Sequence, residues 1–137
     1  MPPTVHMWNK YRRKIVDVST DLSILMTEAE WNTVLAEMPQ RLREGGLEPR
    51  DINAEIVSFT CEPDNILVNE YMNNHGHPPV CEHVWRDIVN GSSQLPLTKV
   101  TAAVADCLPP HTLWYGTSEI GHTEFGLGTS CAWQGGV

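Results

Sequence analysis

The chain has 137 residues, a formal net charge of −8, 41% hydrophobic and 19% charged side chains. That length suits one domain able to bury roughly two-thirds of its unfolded surface, so neither disulfide nor metal is needed for folding. The composition excludes wholesale disorder, and no apolar run approaches the ~20 residues of a membrane span.

Residues 1–14 read as a basic N-terminal arm or edge segment, with Lys10, Arg12, Arg13 and Lys14 grouped together and Trp8 beside them. No apolar run follows these basic residues, so the expectation is a cytoplasmic protein with reduced cysteines and no secretory signal. From residue 15 to 137 a single α+β domain is expected. Residues 15–26 are rich in β-branched side chains and predict a strand. Thr27 and Glu30 then form a T-x-x-E capping box. Trp31, Val34, Leu35, Met38 and Leu42 follow at helical spacing, Pro39 predicts a kink or split, and Gly45-Gly46 ends the helix.

"LEPRD" reads as a connector and "INAEIVSFTC" as a strand. The turn signal "EPDN" leads into "ILVNEYM", so residues 52–72 predict a β-hairpin. Pro78-Pro79 then opens an expected helix "VCEHVWRDIVN" that stops at Gly91. Another helix, "LTKVTAAVADCL", ends at Pro109-Pro110. The remainder predicts a second hairpin turning near Ile120-Gly121. Such an order favours an antiparallel or mixed sheet of about five strands, with two to three helices packed mainly on one face.

Cys61, Cys81, Cys107 and Cys131 are each isolated, without a C-x-x-C pair. In these elements all four turn towards apolar neighbours, as small hydrophobes do. A catalytic thiolate would need an exposed, electropositive setting, which an acidic chain does not offer.

The densest chemical stretch is "HGHPPVCEH", residues 75–83, with three of the chain's six histidines. Helical spacing turns His83 away from Cys81 and makes Glu82 and Arg86 a surface pair. His75 and His77 flank a glycine and are free to chelate zinc. "HGHP" resembles the H-x-H-P signature of the JAMM metalloproteases, which hold zinc by two histidines and a later aspartate. That resemblance implies His75, His77 and Asp87 as ligands, with an upstream acid such as Glu55 activating water. Asp87 lies one residue short of the family spacing, and the serine expected before it is missing. Glu82 is a further candidate ligand or base. There is no G-x-S-x-G, no phosphate loop, and no deaminase ligand order.

Past residue 14 the chain has five basic and seventeen acidic side chains, a balance that repels nucleic-acid phosphates and favours basic partners. Of five tryptophans, Trp31, Trp85 and Trp133 fall on apolar stripes. Trp8, Trp114 and Tyr115 do not, and aromatics are enriched at protein interfaces. The leading expectation is an acidic binding or inhibitor protein for a basic protein partner, with those three residues at the contact and no cofactor. Its size and charge resemble those of bacterial immunity proteins, antitoxins and phage-encoded inhibitors. A metal-dependent hydrolase using His75 and His77 is the first alternative, and a small structural or virion subunit the second.

Overall fold

A computed structural model describes residues 14–57 and 65–124, and the backbone of residues 130–134. The chain order is β1 (Val16–Met26), α1 (Glu28–Gly45), β2 (Leu47–Val57), α2 (Ile66–His75), β3 (His83–Ser93), α3 (Leu97–Ala105), β4 (Leu113–Ile120) and β5 (Ser130–Gln134). The strands form one antiparallel sheet in the order β4-β1-β3-β2-β5, with the short β5 added beside β2. This is an α+β domain. Among the described residues no helix is long and apolar enough to cross a membrane.

β1 shows why the sheet has two unlike faces. Its even-numbered residues Val18, Leu22, Ile24 and Met26 are buried in the main core. The odd-numbered Asp17, Ser19, Asp21 and Ser23 point to the other face, as a period of two requires. α1 and α3 cover the even-numbered face, through Trp31, Val34, Met38 and Leu42 of α1 and Val100 and Val104 of α3. Trp31 stacks on Trp85 of β3 with ring centroids 5.7 Å apart, and the Trp85 indole N–H donates to the Met26 carbonyl at 3.0 Å. On this face the Ser118 hydroxyl joins Thr20 at 2.7 Å and Thr101 at 2.6 Å, linking β4, β1 and α3.

The capping box forms as expected: Glu30 N–H donates to the Thr27 hydroxyl, and Thr27 N–H to the Glu30 carboxylate. Pro39 lies inside one continuous helix and does not split it. Its missing N–H removes a single bond, while Met38 and Leu42 on either side are fully buried.

Five expectations need correction. "ILVNEYM" is not a strand of a hairpin but helix α2. Asn65 caps it by accepting from Leu67 N–H, and Gly76 closes it at φ 78. α2 also lies on the opposite face from α1 and α3, where Leu67 packs with Leu25 and Val84, so the helices do not share one face. "LEPRD" is the first part of β2, bent by a register shift between Pro49 and Asp51.

"HVWRDIVNGSS" is not a helix but β3, the central strand. It is buried on both faces, and such strands lose the in-out alternation that identifies them. Gly91, expected to stop a helix, permits a close strand crossing, since a Cβ there would overlap the Glu48 carbonyl. Finally, β4 and β5 are not a hairpin. They pair with β1 and β2 at opposite edges of the sheet. Past the end of β4 the chain is pinned over the odd-numbered face, where Thr123 exchanges two 2.9 Å bonds with Asn90 and accepts from Ser19 at 2.7 Å.

Candidate functional site

α2 ends in the "HGHP" loop, and its i, i+4 spacing places Tyr71 and His75 on one side of the helix. Their rings stack at 4.0 Å, and His77 meets the same tyrosine edge-on at 5.7 Å. His75 Nδ1 lies 3.0 Å from the Tyr71 carbonyl, and His77 Nδ1 2.9 Å from the Pro78 carbonyl. A carbonyl only accepts, so both Nδ1 atoms carry the proton and each neutral ring leaves Nε2 as the free lone pair. The two rings are 6.1 Å apart.

His75 and Tyr71 form one wall of a cleft of about 430 Å³. Glu82, Glu30, His111, Asn74 and Thr112 complete its polar lining, above Leu25 and Leu113. Partial burial raises the Tyr71 phenol above its ordinary value, with Glu82 and then Cys81 adding to the shift. His111 has φ 72, the one left-handed residue other than glycine among those described. Such conformations cost on the order of 1–3 kcal/mol and recur at functional sites.

Of the expected zinc ligands, the structure brings His75 and His77 together and leaves Asp87 apart. β3 turns Asp87 to the face lined by the even-numbered residues of β1, between Leu22 and Ala54, where it is fully buried. Among the described residues neither carboxylate oxygen has a hydrogen-bond partner. Burial first, and the charge of Asp21 second, push its carboxyl up to about 8. Glu55 lies on β2 opposite Arg86, away from the cleft lining. Among the described residues no three His, Cys, Asp or Glu side chains group closely enough to hold a metal.

The expected Glu82–Arg86 surface pair does not form. Strand geometry carries Arg86 to Asp21, with a 2.9 Å contact. Cys81 is exposed, contrary to its expected core position, because it precedes β3 and is not on a helix. Cys107 is buried as expected. Burial pushes its thiol up to about 11; nearby Arg41 opposes the rise, while Asp106 and Asp87 add to it. A thiol so raised does not supply a thiolate at neutral pH. Cys61 and the Cys131 and Trp133 side chains lie outside the described residues, as does Trp8.

Trp114 and Tyr115 are exposed neighbours on edge strand β4, on opposite faces of the sheet. Tyr115 borders a hollow of about 550 Å³ on the odd-numbered face, lined also by Asp21, Ser23, Val57 and Arg86. Sequence spacing missed Tyr71, Glu30 and His111 as a group. The i, i+4 pair Tyr71–His75 was the available signal, once "ILVNEYM" is taken as a helix.

No family model, no curated protein and no solved structure matches the chain.

Proposed function

We propose that the protein is a small acidic binding or inhibitor protein that recognises a basic surface on a protein partner. One observation carries this reading: among the described residues the arginines are engaged within the molecule, while many carboxylates are left on the surface. Arg43 pairs with Glu48, Arg50 with Asp17 and Arg86 with Asp21, and Arg41 donates to the carbonyls of Asp106 and Cys107. Glu28, Glu37, Glu70 and Glu119 are exposed, and no salt bridge among the described residues engages them. An excess of unpaired surface charge raises the encounter rate with a partner of opposite sign. Tyr115, on the same face of β4 as Glu119, and Trp114, on the other face, supply exposed aromatic contact area.

The test is the association rate with a purified partner as salt is varied. It falls by about tenfold or more from low to physiological ionic strength. Tyr115→Ala raises Kd by about tenfold. An association rate indifferent to ionic strength overturns the reading.

A second reading, a metal-dependent hydrolase, is favoured by the two imidazoles alone. Histidines that ligate through Nε2 characteristically donate Nδ1–H to a carbonyl, as His75 and His77 do. Stoichiometric zinc in protein purified without a histidine tag, lost in His77→Ala, supports that reading. Zinc content that His77→Ala leaves unchanged removes it.

A further inference from the structure

Among the described residues β4 ends the sheet order, with β1 on one side only. An edge strand turns every second N–H and C=O outward, and natural edges are usually blunted by proline, lysine, a bulge or a short length. β4 has none of these. Its eight residues read Leu-Trp-Tyr-Gly-Thr-Ser-Glu-Ile, with Glu119 as the only charge, and its register against β1 is unbroken.

The placement of its apolar side chains says what fits there. Trp114 and Ile120 are on the same face of β4, near its two ends, and are 38% and 63% exposed. When two copies pair edge to edge about a two-fold axis normal to the sheet, each face stays on its own side. Residues that meet must therefore share parity. With the axis at Thr117, Trp114 of each copy falls opposite Ile120 of the other, an aromatic–aliphatic cross-strand pair of the favoured kind. Gly116 then meets Ser118, and Tyr115 meets Glu119. Moving the axis to Gly116 sets Trp114 against Ser118, and moving it to Ser118 sets Trp114 past the strand end. Both lose the apolar match. The Thr117 register also keeps the one carboxylate of each strand away from its copy, which an acidic chain requires.

We propose that β4 is a self-association edge, on which a second copy of this chain docks antiparallel about a two-fold axis at Thr117. Eight residues at ~3.4 Å span roughly 27 Å. A seam of that length falls short of the ~1,200 Å² that a standard interface buries, so the dimer is concentration-dependent, with Kd on the order of micromolar. In this register Trp114 and Ile120 of the two copies line one face of the seam, and Tyr115 and Glu119 line the other.

The experiment reads molar mass with no partner present, so its outcome is independent of the partner reading. Sedimentation equilibrium of the full chain across the micromolar range shows a monomer passing to a dimer. Ile120→Lys, at a well-exposed position, weakens the dimer by about tenfold or more. A gain-of-signal arm uses a background with Cys61, Cys81 and Cys131 all changed to Ser, which leaves only the buried Cys107. Residues directly opposite in an antiparallel pair have Cα atoms ~4.5–5.5 Å apart, within disulfide reach. Thr117→Cys therefore cross-links to a dimer on mild oxidation, and Glu119→Cys, which faces Tyr115, does not. A mass that stays monomeric throughout overturns the proposal. So does a dimer indifferent to Ile120→Lys, or Glu119→Cys cross-linking as readily as Thr117→Cys.

Discussion

Replacing Asp87 by asparagine keeps the shape of the side chain and removes its proton equilibrium. In the fold, burial among Leu22, Ala54 and the α1–α3 side of the core holds the carboxyl protonated up to about 8, against an ordinary value of 3.8. The folded state therefore binds this proton more tightly than the unfolded chain does. Below pH 4 both states are protonated and the group costs nothing through ionisation. Between pH 4 and 8 the unfolded chain has released the proton and the fold has not, so stability falls as pH rises, and above 8 the loss is complete. Each pH unit within that window costs about 1.4 kcal/mol, so from pH 5 to pH 7 the group removes about 3 kcal/mol. That is a large part of the ~5–15 kcal/mol typical of a domain. Urea unfolding followed by fluorescence of the buried Trp31–Trp85 pair measures it at pH 4, 5, 6, 7 and 8. At pH 4 Asp87→Asn stays within about 1 kcal/mol of the parent, since each buries a neutral group of similar size. At pH 5 the variant gains about 1–2 kcal/mol on the parent and at pH 7 about 4 kcal/mol, because only the parent has lost stability to the competing ionised unfolded state. Parallel stability–pH curves for the two proteins would refute the reasoning and put a hydrogen-bond partner or water beside the carboxylate.

Three further outcomes follow from the packing. Thr27→Ala removes the hydroxyl arm of the capping box at the start of α1, which accepts from Glu30 N–H, while the backbone N–H of residue 27 still reaches the Glu30 carboxylate; stability falls by about 1 kcal/mol, read by the same denaturation. Ser118→Ala leaves Thr20 and Thr101 without their shared partner and costs about 1–3 kcal/mol; a loss below half a unit of that scale would mean water replaces the hydroxyl. Leu67→Ala removes the only fully buried side chain of α2 and costs about 2–5 kcal/mol, with hydrogen exchange accelerating in residues 66–75 before the sheet.

Much of the covered face of the sheet is legible in sequence, because there local pattern and tertiary role agree. β1 is β-branched, α1 carries a capping box and a helical apolar stripe, and α3 repeats Val100 and Val104 at one turn. α2 and β3 are exchanged in the sequence reading for physical reasons. α2 contains Ile66, Val68 and Tyr71, residues that favour strands, and buries only Leu67, so its amphipathic signal is faint. β3 is buried on both faces, and Val84, Trp85 and Ile88 happen to fall at helical spacing. Periodicity cannot separate such a strand from a helix.

That single exchange accounts for the misplaced site residues. A helix through residues 80–90 sets Asp87 on an outer surface and Cys81 in the core. A strand reverses both, since a period of two groups Asp87 with Trp85 and Val89, under α1 and α3, and leaves Cys81 ahead of the strand. The zinc reading needed Asp87 to reach His75 and His77, and β3 directs its carboxylate to the face opposite α2. The histidine pair loses its third ligand through the same change of period that creates the unpaired carboxylate. The chemistry available to His75 is accordingly set by the groups of its cleft, Tyr71, Glu30, Glu82 and His111, with His77 edge-on to the same tyrosine. The pH response of the fold is set separately, by Asp87 in the core.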